Sequence, residues 1–93
     1  MIHSTPDVFE ASSRWKLSSN VSLRDESFGA LAYHHGNRRL VFLKSTTLVA
    51  IVERLEEFES VDAALDAMVS SDERVRYTKA LAGLAASEIL SEC

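Results

Sequence analysis

The stretch FGALAYHHGNRRLVFLKS, Phe28 to Ser45, decides the fold. Two apolar runs flank a polar centre, and Gly36-Asn37 within it is a two-residue hairpin signal, because both residues tolerate the positive φ that primed turns require. With Gly36 and Asn37 as the loop, His35 faces Arg38, His34 faces Arg39, Tyr33 faces Leu40, Ala32 faces Val41, Leu31 faces Phe42 and Ala30 faces Leu43. Side chains alternate along a strand. One face of the hairpin therefore carries Leu31, Tyr33, Leu40 and Phe42, and the other carries Ala30, Ala32, His34, Arg39, Val41 and Leu43. The first face is bulkier and is expected to be the core.

Upstream, VSLRD at Val21 to Asp25 alternates apolar and polar residues and adds a further strand. Order is expected to begin near Trp15. Residues 1–14 are polar, contain the only proline and follow neither strand nor helical period, which predicts a flexible N-terminal arm ahead of a single domain over 15–93.

Downstream of Lys44 the apolar period changes from two to 3.6. Leu48, Ile51, Val52, Leu55 and Phe58 form one helical stripe behind a Ser45 or Thr46 cap, with Glu53, Glu56 and Glu57 largely off it. Ser60 caps a second helix burying Val61, Ala64, Leu65 and Met68. Ser70 and Glu73 stand at capping-box spacing and open a third helix that buries Tyr77, Leu81 and Leu84, with Ala80 and Ala85 beside them. Gly83 weakens that helix and points to close packing or a frayed end. Strands first and helices second predict an α+β domain, a three-stranded antiparallel sheet followed by three helices.

Composition narrows the function. The chain has 93 residues, 46% hydrophobic and 26% charged, enough for one small core. Charge is uneven: residues 1–44 carry six basic and four acidic residues, residues 45–93 four basic and ten acidic. The acidic second half argues against a general nucleic-acid binder. A winged-helix DNA-binding regulator is the alternative, with Arg38 and Arg39 as the wing. Its recognition helix, however, offers only Arg74, Arg76 and Lys79, next to Asp72 and Glu73. The single cysteine, Cys93, excludes an internal disulfide, and the start MIHSTPDVFE lacks the layout of a secretory signal. No segment approaches the length of a membrane span. A cytoplasmic protein without membrane contact is expected.

No chemistry stands out. His34 and His35 are adjacent, so on a strand they point to opposite faces and cannot chelate one metal together. Cys93 has no partner that would activate it, and the serines sit at caps and loops. No catalytic residue, metal or cofactor is expected. The segment LVFL resists that bland reading, because it is apolar on both faces and has one unpaired edge. The face bearing Val41, Leu43, Ala30 and Ala32 then needs a cover, which is Trp15 and Leu17 folding back, the arm, a second copy, or another protein.

WKLS, VSLRDESFGALAYHHGNRRLVFLKS, LVAIVERL and the closing ALAGLAASEIL together resemble the small peptide chaperones of mycofactocin biosynthesis, which are PqqD-like peptide-recognition domains. The resemblance covers Trp15 to Glu92, and its specific part is Phe28 to Ser45. It implies a winged-helix-like, non-enzymatic adaptor that binds the leader of a ribosomal precursor peptide and presents it to a radical S-adenosylmethionine maturase. It also implies where the leader lies: added as a strand along Arg38, Arg39, Leu40, Val41, Phe42, Leu43 and Lys44, in a groove lined by Tyr77, Leu81 and Leu84. On this reading Leu40 and Phe42 point toward the helices as the groove floor, Arg38 and Arg39 favour an acidic leader, and Val41 and Leu43 or the acidic first helix remain for the maturase. The acidic EEFES, Glu56 to Ser60, departs from the glycine-containing turn found in relatives.

Overall fold

The computed structural model describes residues 9–93. The strands are β1 (Trp15–Leu17), β2 (Val21–Glu26), β3 (Gly29–His34), β4 (Leu40–Leu43) and β5 (Leu90–Glu92); the helices are α1 (Thr46–Arg54), α2 (Val61–Met68) and α3 (Arg74–Ala86). Strands β2, β3 and β4 form a three-stranded antiparallel meander, and three helices follow it, as the periodicities predict. The short pairing of β1 with β5 was not legible beforehand; it joins the beginning of the domain to its end.

The register of β3 on β4 is the expected one, Ala30 opposite Leu43 through Tyr33 opposite Leu40. The turn differs from expectation. Its positive φ falls at Arg38 (64°) and not at Gly36 or Asn37, because the loop is wider than two residues: His34 donates its N–H to Arg39 while its carbonyl accepts from Arg38. His34 holds this loop, its Nδ1 accepting the N–H groups of Gly36 and Asn37 at 3.0 Å each.

The buried face of the sheet is the opposite of the expected one. Ala30 and Ala32 are 0% exposed and Leu43 and His34 are buried with them, whereas Leu40 and Phe42 are 55% and 54% exposed. Bulk misleads here because the helical layer supplies the volume. Leu48, Ile51, Val52 and Leu55 fill the space above the sheet, and only the alanine face lets α1 come close enough to pack without a void. That face is therefore covered by the protein's own helices, with Trp15 in the same core.

Gly29 fixes the crossing from sheet to helix. Its φ is +148°, and a Cβ there would overlap the carbonyl of Leu43 and meet the Ser45 nitrogen at 3.0 Å. Ser45 then caps α1 by accepting the Leu48 N–H at 3.1 Å, and Ser60 caps α2 by accepting that of Ala63 at 3.0 Å. The expected Ser70–Glu73 capping box does not form. A 3₁₀ turn over Ser71–Glu73 leads into α3, and its cap Ser70 makes no side-chain bond. The chain leaves α3 through Glu88 at φ 65°, with Ile89 N–H on the Leu84 carbonyl and Glu88 N–H on that of Ala85, a Schellman closure that delivers β5 to β1.

Part of the expected arm is docked. Phe9 stacks 5.0 Å from Trp15, Ala11 and Ser13 accept the N–H groups of Asp62 and Val61, and Arg14 bonds the Glu56 carbonyl. The remainder of the expected arm, residues 1–8, lies outside the described residues.

Candidate functional site

Strand β4 is an edge strand. Because His34 N–H binds the Arg39 carbonyl, alternation along the antiparallel ladder puts the β3-directed groups on Val41 and Leu43 and turns the N–H and C=O of Leu40 and Phe42 outward. Among the described residues no strand lies along that border. Exposed edges are usually blunted by charge, and here the charge sits only at the ends: Arg38 and Arg39 before the strand, Lys44 after it. Among the described residues none of these three is in an ion pair, although five such pairs form elsewhere.

Two concavities adjoin this edge, and they share Phe28 and Lys44. On the outer face of the sheet, Phe28, Leu31, Leu40 and Phe42 form an apolar bowl of about 600 Å³, rimmed by Glu26 and Lys44. Phe28 and Phe42 pack with ring centres 6.0 Å apart, and Glu26 is already held by Arg24 at 3.0 Å. Contiguous exposed apolar surface of this kind marks an interaction site more often than chance exposure does.

The second concavity, about 590 Å³, opens between the end of β4 and α3. Its polar wall is Ser45, Arg76 and Tyr77, with Leu48 and Ala80 as apolar lining. The Tyr77 hydroxyl lies 3.4 Å from Ser45 Oγ and accepts from Arg76 at 3.3 Å, while the Arg76 guanidinium stands 5.0 Å over the Tyr77 ring. The Ser45 hydrogen bond, joined by Arg76, holds the Tyr77 phenol below the ordinary tyrosine range against the opposing effect of burial. Arg74 locks α3 onto α2 by bridging Asp62 at 2.8 Å and Asp66.

The expected site residues divide accordingly. Arg38 and Arg39 are exposed at the loop; Leu40 and Phe42 stand on the outer face, away from the helices, so they do not floor a groove with Tyr77 and Leu81. Val41 is half-buried and Leu43 buried on the inner face, and neither offers the free surface expected of them. Tyr77 reaches the inner concavity with its hydroxyl end, but Leu81 and Leu84 are in the core behind it. Phe28, Lys44, Ser45 and Arg76 were missed. Phe28 carried a signal, an aromatic residue in the two-residue turn between β2 and β3, where polar residues are the rule.

Other chemistry finds no footing among the described residues. No group of three His, Cys, Asp or Glu side chains converges. His34 Nδ1 is spent on the loop, and His35 Nε2 lies 2.7 Å from Ser22 Oγ. On α3, Arg74 is engaged by Asp62 and Asp66 and Arg76 by Glu73, which removes the basic face that a recognition helix needs. No helix there is long and apolar enough to cross a membrane.

Comparison with known proteins agrees with a peptide-handling reading. The family described as the peptide chaperone MftB family matches residues 14–91. A relative named peptide chaperone MftB from Mycobacterium ulcerans (strain Agy99) is 41% identical over 89% of this chain and 77% of its own length. Its namesake in Mycolicibacterium smegmatis (strain ATCC 700084 / mc(2)155) is 40% identical over 89% of this chain and 82% of its own length. A third, from Mycobacterium tuberculosis (strain ATCC 25618 / H37Rv), is 39% identical over 88% and 76%. No solved structure matches the chain.

Proposed function

The chain belongs to the peptide chaperone MftB family, a non-catalytic family, and from that premise we propose that it captures a ribosomally made precursor peptide by strand addition and presents it to a radical S-adenosylmethionine maturase. The observation that carries this reading is the outward main chain of Leu40 and Phe42, bordered by cations that are in no ion pair among the described residues and flanked by two concavities. An added strand takes affinity from main-chain hydrogen bonds, each worth about 0.5–1.5 kcal/mol net, and selectivity from pockets at alternate side chains.

In this reading Arg38 to Leu43 form the docking strand, Leu40 and Phe42 touch the guest from the outer face, and Tyr77 with Arg76 borders its inner side. Leu43, Leu81 and Leu84 act from behind, by holding β4 and α3 in place. Presentation needs no cofactor here, since the radical chemistry belongs to the maturase, and the cytoplasm, where the precursor is made, is the compartment. The test is amide hydrogen exchange by NMR with the precursor's leader. The amides of Val41 and Leu43, already bonded within the sheet, start protected; those of Leu40 and Phe42 start exposed and gain protection on binding. Protection elsewhere with Leu40 and Phe42 unchanged would dismiss strand addition.

A further inference from the structure

The edge carries its own specification of the guest. Leu40 and Phe42 point outward along β4, Lys44 follows at the rim of the bowl, and the exposed Arg38 and Arg39 stand in the loop just before the strand, so the edge reads cations, apolar, apolar, cation from one end to the other. Residues directly opposite on neighbouring strands share a face and touch. We infer that the segment bound here has the pattern acidic-x-apolar-x-apolar-x-acidic, its two apolar side chains entering the bowl with Phe28 and Phe42 and its two carboxylates meeting Lys44 at one end and Arg38 with Arg39 at the other. The inference rests on the strand-addition reading and names the class of peptide that the edge selects.

The same row argues against the most available rival, a second copy of this chain. Antiparallel pairing of two β4 edges about Val41 matches Leu40 with Phe42 but brings the loop cations Arg38 and Arg39 of each copy toward Lys44 of the other, and like charges brought together across a sheet destabilise it. An apolar strip bounded by cations thus rejects itself and accepts an acidic guest. Glu26, the carboxylate on the rim of the bowl, does not cancel this field, because Arg24 holds it.

The experiment uses the whole protein and three synthetic peptides of equal length, each a seven-residue core between Gly-Ser flanks. The first core is Glu-Ser-Val-Thr-Val-Ser-Glu, the second has its two valines placed side by side, and the third has lysines for the glutamates. Binding is followed through the amides of Leu40 and Phe42 by NMR. The first peptide binds roughly tenfold more tightly than either other at low salt, and added salt shrinks its advantage over the lysine peptide but not over the shuffled one. The triple variant Arg38→Glu, Arg39→Glu and Lys44→Glu inverts the preference and favours the lysine peptide, an outcome that damage to the fold cannot mimic. Equal binding of all three peptides at these amides overturns the pattern and leaves strand addition standing. No shift at these amides with either the cores or the precursor's leader overturns both. Concentration-dependent shifts of the same amides without peptide overturn the rejection of a second copy.

Discussion

Gly29 and Leu43 approach so closely that a side chain on the first would overlap the carbonyl oxygen of the second. The contact ties the start of β3 to the end of β4, just before Ser45 caps α1, so the candidate edge and the first helix share one anchor. Gly29→Ala has to relieve both the overlap and a φ of +148°. The backbone conformation alone costs on the order of 1–3 kcal/mol, and urea unfolding is expected to show at least that loss.

Ser45 serves two partners, the Leu48 N–H and the Tyr77 hydroxyl. Ser45→Ala is expected to cost about 0.5–2 kcal/mol as a lost cap. It also removes the main cause of the lowered Tyr77 pKa, so the tyrosinate absorbance of the variant rises at higher pH than in the parent. The sign of the linked stability follows. Between the folded value and the ordinary value of about 10 the unfolded chain binds more protons, so this group adds stability as pH rises through that window and loses it as pH falls. The variant lacks most of that increment.

Leu81 is 0% exposed and sits behind the site. Leu81→Ala is expected to cost about 2–5 kcal/mol in stability through the cavity it leaves. The fraction that remains folded should bind the leader with little change in affinity. A selective loss of binding without loss of stability would make Leu81 a contact residue.

Leu40→Pro and Val41→Pro separate the two directions of the β4 backbone. Proline at Leu40 removes an outward donor and is tolerated on an edge; leader affinity should fall about two- to tenfold, the value of one net hydrogen bond. Proline at Val41 removes a donor from the β3–β4 ladder and leaves the facing carbonyl unsatisfied, which should destabilise the fold by about 1–3 kcal/mol. Denaturation and NMR titration read the two effects independently.

Glu88 occupies the left-handed position that closes α3, where glycine is the usual residue, and Gly83 stands in the helix with nothing within 4 Å of where a Cβ would be. Close packing therefore does not explain Gly83. Gly83→Ala is expected to stabilise the protein by about 0.5–1 kcal/mol, and Glu88→Gly by about 1 kcal/mol. Both are read from thermal unfolding, with peptide binding unchanged.

Short-range chemistry made much of this protein legible in one dimension. The β3–β4 register follows from where a turn can form, the caps at Ser45 and Ser60 from hydroxyls placed before apolar stripes, and the helical stripes from a 3.6 period; each depends on neighbours a few residues away. The family resemblance added the idea of an edge that recruits a peptide. Packing decided what no local rule can reach. The small face of the sheet, not the bulky one, is buried, because α1 must approach Ala30 and Ala32 closely and brings its own volume. That choice turned Leu40 and Phe42 out beside Phe28, drew Leu81 and Leu84 into the core, and brought Ser45, Arg76 and Tyr77 together across more than thirty residues of chain. A strand's two faces are equivalent until a complete layer of helices must fit one of them, and that fit is a property of the whole volume.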